Sequence, residues 1–379
     1  MPSRTIKDHY PEVSVCLTNV LWRVYVEVTP RNSWWPLRRY VKRWQKLLMV
    51  LLLTWGALLV HGYHPFAEDA EIYLPGVEKI LHPELFAKDA QFFASYTRFS
   101  LFAQLIAGSV RLIHLRLETV LFIWHLLSVF SLLLACRQLS EECFTGEPAR
   151  WAGVSCIAAL LTLPVAGTAL YIMDQYVNPR NLAAFAGIFT VTATFRNQYW
   201  KVGFWICFAA AIHPLMGAFA LFLCGILLGI KFKPSFTVAA FLLPISLLVA
   251  PDSLAYKEAA QLHSFHYLFA WRWYEWLGII APLGILWWFA ALAGNRQKLQ
   301  IRRLCLALLL YGAICFAAAI VFSLPGDYGP LARFQPLRCL HLLYVLMFLL
   351  IGGFIGEFFL KHHGWRWVIL FLPLCTGMW

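Results

Sequence analysis

The chain has 379 residues, 61% apolar and 13% charged, with a mean hydropathy of +0.66 and a formal net charge of +12. Soluble domains carry roughly 25% charged residues, so an ordinary soluble protein is excluded. Apolar runs recur along nearly the whole length at the scale of the roughly 20 residues that a spanning helix needs.

Regular alternation of apolar and polar residues, the signature of a β-barrel strand, is absent. The expected fold is an all-α polytopic transmembrane helical bundle of about 9–11 membrane segments. The basic charge does not point to nucleic acid. Segments such as Trp34-Trp35-Pro36-Leu37-Arg38-Arg39 suit a headgroup interface, and Lys and Arg are retained on the cytosolic side of a membrane. The ten cysteines show no CxxC spacing and fall mostly inside apolar runs, as small buried hydrophobes do.

Residues 1–46 read as a basic cytosolic segment. Arg31, Arg38, Arg39, Lys42, Arg43 and Lys46 crowd its membrane end on a short interfacial helix with Trp34, Trp35 and Trp44. The remainder, 47–379, reads as a single membrane domain. Its first run, Leu47–Tyr63, lies too far from the N-terminus for a cleaved signal and reads as a signal-anchor span.

An acidic loop follows, His64–Asp89, which holds six of the nineteen acidic residues: Glu68, Asp69, Glu71, Glu78, Glu84 and Asp89. Short interfacial helices are expected in it. Pro65 and the carboxylates after it suit a helix N-terminus. Glu78 and Glu84 read as solvated charges.

Residues 99–114 are apolar but interrupted by Arg111, so they either cross the membrane or lie in its outer leaflet. Counting basic residues decides. If they do not cross, 21 of the 31 Lys and Arg fall inside and 10 outside; if they cross, the tally is 16 to 15. The asymmetry favours a segment that does not cross.

Spans are then expected at Thr119–Cys136, Trp151–Ile172, Phe236–Ala250, 273–294, 304–324 and 339–356. Between them, 182–230 is either a crossing helix plus a hairpin bent at His213-Pro214, or a re-entrant segment plus one broken helix. The final run, 367–379, is shorter than a span, so it reads as a partial insertion or, the preferred expectation, as part of a fragment of a longer protein.

This topology puts four loops outside: 64–118, 173–181, 251–272 and 325–338. They hold eleven acidic residues, with Glu275 just past the third loop, against seven inside, although acidic residues have little influence on orientation. Charged groups in so short a loop as 173–181 tend to face protein or a water-filled cavity, which singles out Asp174, Asn178 and Arg180. Arg333 and Arg338 bracket Phe334-Gln335-Pro336-Leu337 and could grip a phosphate. His263 and His266 lie among aromatic residues on which a sugar could stack. No HxxxH, HExxH, GxxxxGK[ST] or GxGxxG spacing occurs, so no metal ligands are assigned and nucleotide chemistry is unsupported. No bound cofactor is indicated, although a carboxylate of the first loop could bind a divalent metal.

The acidic pair Glu68-Asp69 within EDAEIYLPGVEKIL, directly after the first span, together with Asp174 in the second outer loop and arginines in later ones, resembles the C-type glycosyltransferase superfamily. These are multi-pass enzymes that use polyprenyl-phosphate-linked sugars. The resemblance implies an integral membrane glycosyltransferase of bacterial type, in the inner membrane, acting at its outer face on a lipid-linked sugar. It makes Asp69 or Glu68 the catalytic base and Asp174 a supporting carboxylate. Arg180, Arg333 or Arg338 would hold the donor phosphate, with His266 as a further substrate contact. The rival expectations are a non-catalytic scaffold or polymer-assembly subunit and, less well supported, a transporter. The latter would want ionisable groups at mid-span, where only His125 lies.

Overall fold

The computed structural model describes residues 35–88, 97, 99–232, 265, 267–296, 298–324 and 335–379, with side chains from Arg43 onward. Contacts divide the chain into two units, Met1–Met49 and Val50–Trp379. The described part of the first is the opening of helix α1 (Trp35–His61), which runs 27 residues without a break. The expected separate interfacial helix is therefore the first turns of α1 itself. Gly62, at φ +76°, stops the helix with a left-handed turn that costs glycine little.

The described residues of the second unit form helices joined by turns and irregular segments, with an isolated antiparallel bridge between Pro164 and Tyr171. After α1 come α2 (Ala70–Leu81), α3 (Phe102–Ile113), α4 (Leu117–Cys143), α5 (Glu147–Ala159), α6 (Pro179–Phe195), α7 (Tyr199–Ile212) and α8 (Pro214–Phe232). Then follow α9 (Trp273–Asn295), α10 (Leu299–Phe322), α11 (Cys339–Ile355, extended by a π turn to Leu360) and α12 (Gly364–Met378). Among the described residues six helices are long and apolar enough to span a membrane: α1 from Arg43, α4, α8, α9, α10 and α11 with its flanks. The protein is thus a multi-pass helical membrane protein. The expected span Phe236–Ala250 and the loop 251–264 lie outside the described residues.

Helix α11 is the centre. Its span is 83% buried inside the protein, against 22% for that of α1, which leaves most of α1 to face lipid. Its closest partner is α5. The two meet through small residues: a Cβ added at Gly352 would lie 2.6 Å from the Ala152 carbonyl oxygen and 2.6 Å from the Cys156 Cβ. Gly352 and Gly356 form a GxxxG pair on that face, the spacing by which membrane helices bring their backbones together.

Three expectations need correction or resolution. The run Trp151–Ile172 is not one span. Helix α5 ends at Ala159, and the chain continues as irregular backbone through Asp174, with Leu161, Val165, Leu170 and Ile172 all buried. Non-helical backbone at such depth is tolerated only inside protein, and here its N–H groups bond within the segment, as in Val165 to the Leu170 carbonyl (2.8 Å) and Met173 to that of Leu161 (2.7 Å). Composition alone cannot separate an apolar span from an apolar buried loop.

Within the ambiguous 182–230, the part 202–230 is the hairpin bent at His213-Pro214 and not one broken helix. Pro214 removes the donor that would continue α7, and α8 folds back so closely that Gly217 sits on Ala210. Finally, α3 has only 12 residues, about 18 Å, which is too short to cross a bilayer core of about 30 Å.

Helix ends fall into two groups. Arg196, after α6, pairs with Glu142 at the end of α4 (2.7 Å), and Lys298, before α10, pairs with Glu357 after α11. At the opposite ends lie the start of α4, the start of α6 and the α7–α8 bend. Ser100, just before α3, also reaches this end, where it donates to the Ile212 carbonyl (2.5 Å). The acidic residues of interest are gathered here.

Candidate functional site

The segment 174–181 builds the site. Asn178 followed by Pro179 is a helix start: the Asn178 carboxamide oxygen accepts from the Asn181 N–H (3.0 Å), and Pro occupies the first turn. That cap places Arg180 in the first turn of α6, pointing back towards the loop. Asn181 binds the loop to its own helix, donating to the carbonyls of Tyr176 (2.8 Å) and Asp174 (3.3 Å). The loop is short and strongly hydrogen-bonded, and Asp174, Tyr176, Asn178 and Arg180 are all buried. The loop 174–178 is therefore packed within the protein.

Arg180 joins two parts of the chain that are more than a hundred residues apart. Its Nη1 donates to Asp69 Oδ2 at 3.0 Å and its Nη2 to Asp174 Oδ2 at 2.9 Å. Asn178 Nδ2 donates to the same Asp174 oxygen at 2.7 Å. The two carboxylates differ in setting. The Asp174 side chain is 3% exposed and that of Asp69 37%, so one is internal and the other opens to the surroundings.

Asp69 precedes α2, but its carboxylate makes no capping hydrogen bond; it is turned to Arg180 instead. The capping role expected for this carboxylate is thus not the one it takes. Its backbone N–H donates to the Tyr176 hydroxyl (3.2 Å), and the His64 N–H donates to the Gln175 carbonyl (2.8 Å). Gln175 Nε2 in turn donates to the His61 carbonyl. Loops one and two are therefore laced together on both sides of the ion pair. Burial, followed by the charges of Asp174 and Asp69, pushes the Tyr176 phenol well above its ordinary pKa, so it stays a neutral partner.

A second group borders Arg180. His213, at the α7–α8 bend, and His341, in the first turn of α11, lie within electrostatic reach of both Arg180 and Arg338. His341 Nε2 bonds the Ile172 carbonyl (2.9 Å), and His213 Nδ1 accepts from the Met216 N–H (3.4 Å). Burial and the two arginines drive His213 down to a pKa of about 3, so its imidazole is neutral at physiological pH.

Of the residues singled out in the sequence, Asp69, Asp174 and Arg180 are in direct contact, and Arg338 lies beside the same cluster. Glu68 does not join it. That residue is exposed, has a left-handed backbone (φ 49°) and acts electrostatically on Tyr171. Arg333 and His266 lie outside the described residues. Among the described residues no three His, Cys, Asp or Glu side chains are placed to hold a metal ion.

Sequence reasoning missed His213, His341, His61 and Tyr176, which no linear spacing connects. The Asn-Pro helix start was the available signal that Arg180 is turned inward. The geometry comprises a semi-exposed carboxylate held by a buried arginine, a second carboxylate behind it and an Arg–His group alongside. No family model, curated protein or solved structure matches the chain.

Proposed function

We propose that this multi-pass protein transfers a sugar from a polyprenyl-phosphate donor at the outer membrane face, with Asp69 as the base. The observation that carries the reading is the Asp69–Arg180–Asp174 arrangement, which unites the loops before α2 and α6 at one end of the bundle. Arg180 fixes Asp69 Oδ2 and leaves Oδ1 to take a proton. In the reaction the acceptor hydroxyl oxygen forms a bond to the anomeric carbon, its proton passes to Asp69, and the bond to the donor phosphate breaks. The polyprenyl phosphate leaves with the electron pair.

Arg338, with Arg333, is assigned to the leaving phosphate, because the guanidinium of Arg180 is already engaged by two carboxylates. A positioned base contributes about 10²–10⁴-fold, and fixed positive charge on the leaving group is usually the larger contribution. On this reading the N-terminus is cytosolic, and the basic residues flanking the opposite helix ends face the cytosol of a bacterial inner membrane.

The test is Asp69→Asn in membranes supplied with labelled polyprenyl-phosphate hexoses. A loss of about 100-fold or more in transfer is expected, and undiminished transfer would overturn the assignment. The ion pair also favours a second reading, a non-catalytic scaffold in which Arg180 is a clasp between loops. Wild-type membranes that transfer no hexose from any donor, while Arg180→Ala unfolds the protein, would favour it.

A further inference from the structure

All three hydrogen bonds to the Asp174 side chain reach one oxygen, Oδ2: from Asn178 Nδ2 (2.7 Å), Arg180 Nη2 (2.9 Å) and Arg180 Nε (3.3 Å). Among the described residues Oδ1 receives none. Behind Asp174 lies a cavity of about 10 Å³, lined by His61, His125, Thr162, Met173 and Gln175 among others. That volume is about one water molecule.

His125, 3% exposed, turns one ring nitrogen to the backbone of Tyr176, while its Nδ1 has no partner among the described residues. A ring whose Nε2–H faces a carbonyl presents a lone pair at Nδ1, so this nitrogen is an acceptor. Thr162 Oγ1, bonded to His61 Nδ1 at 2.9 Å, adds another oxygen to the wall. The partly open space is thus lined by Asp174, by His125 with its free imidazole lone pair and by the hydroxyl residue Thr162. Two carboxylates share a single arginine beside it. A buried acceptor such as His125 Nδ1 left without a donor is costly, and an anion or an apolar group beside it and the Asp174 carboxylate would not relieve that cost.

We propose that this cavity binds one small electropositive ligand, the size of a sodium ion or a water, seated between Asp174 Oδ1 and His125 Nδ1. Sodium would be coordinated by the lone pairs; a water would donate one hydrogen to each acceptor. Either way the ligand holds the Asp174 carboxylate in the rotamer that presents Oδ2 to Arg180. His125 thereby acts as a positioning residue for Asp69, two ion pairs away. The inference rests on the cavity alone and holds whether or not the protein transfers sugar.

The test uses the full chain in detergent, its thermal unfolding compared in sodium, potassium and choline chloride at one ionic strength, together with a high-resolution density map. A rise in Tm of about 2–4 °C in sodium over choline, abolished in His125→Leu, supports the site with sodium as occupant. Equal Tm values with a density peak within hydrogen-bond distance of both Oδ1 and Nδ1, lost in His125→Leu, support it with water. Equal Tm values and a cavity empty of density overturn it. If His125→Leu fails to fold, Thr162→Val serves as the second variant, and the wild-type salt and density results still decide.

Discussion

Arg180 shows how a residue's environment outweighs its type. A charged side chain beside a membrane often reaches for headgroups, yet this one is 5% exposed and bonded to two carboxylates. Breaking a buried ion pair from one side leaves an uncompensated charge, a loss of about 3–5 kcal/mol. Arg180→Ala is therefore expected to lower the unfolding temperature in detergent sharply. Arg180→Lys should recover only part of the loss, because an ammonium cannot reproduce the fork that bonds Asp69 and Asp174 together.

His213 gives the pH dependence. Its pKa is about 3 when folded and near 6.5 when unfolded, so below pH 6.5 the unfolded chain binds a proton that the folded chain refuses. Its contribution to stability is present above about pH 6.5 and is lost as pH falls towards 3. Thermal unfolding between pH 7.5 and 4 should show this slope. His213→Asn, which keeps a side chain able to cap α8, should flatten it.

At the scale of the element, helix starts and stops follow local chemistry, while lengths do not. Asn178-Pro179 opens α6, Gly62 closes α1 and Pro214 divides α7 from α8, each for a reason visible in the sequence. The end of α5 at Ala159 had a weaker signal, Pro164 five residues on, because the buried loop after it is otherwise as apolar as a helix. What sets that loop's position is close packing elsewhere. Ala166 lies against Gly278, where an added Cβ would come within 2.7 Å of it, and Gly167 lies against the Trp271 ring. Gly352→Val at the α5–α11 contact should force two backbones apart and cost about 1–3 kcal/mol. Gly229→Val, where nothing lies within 4 Å of an added Cβ, should lack that overpacking penalty. The paired unfolding curves would separate close packing from the generic effect of replacing glycine.

Across the whole molecule, the decisive matter was which loops share an end. Assigning Asp69 and Asp174 to one face rested on counting basic residues on either side of 99–114. The Arg180 contacts place both acids at the same end directly. Glu84 and Lys361, both exposed, belong to the two opposite groups of helix ends. In a background without native cysteines, Glu84→Cys should react with a membrane-impermeant thiol reagent added outside intact cells. Lys361→Cys should react only after the cells are opened. The reverse pattern would invert the proposed orientation, and labelling of both from one side would contradict the two-ended bundle.

The sequence by itself determined that the protein is a helical membrane bundle, because hydrophobic length and the lack of strand alternation are local properties that bilayer physics reads directly. It also pointed to Asp69, Asp174 and Arg180 through their unusual concentration of charge at helix ends. Only the tertiary structure decided that Glu68 stays outside the cluster while Asp69 enters it, and that two histidines and Arg338 border the same arginine. Adjacent residues in a chain can face opposite ways, and residues from four different helix ends can meet. Side-chain direction and long-range packing carry that information, and no periodicity encodes it.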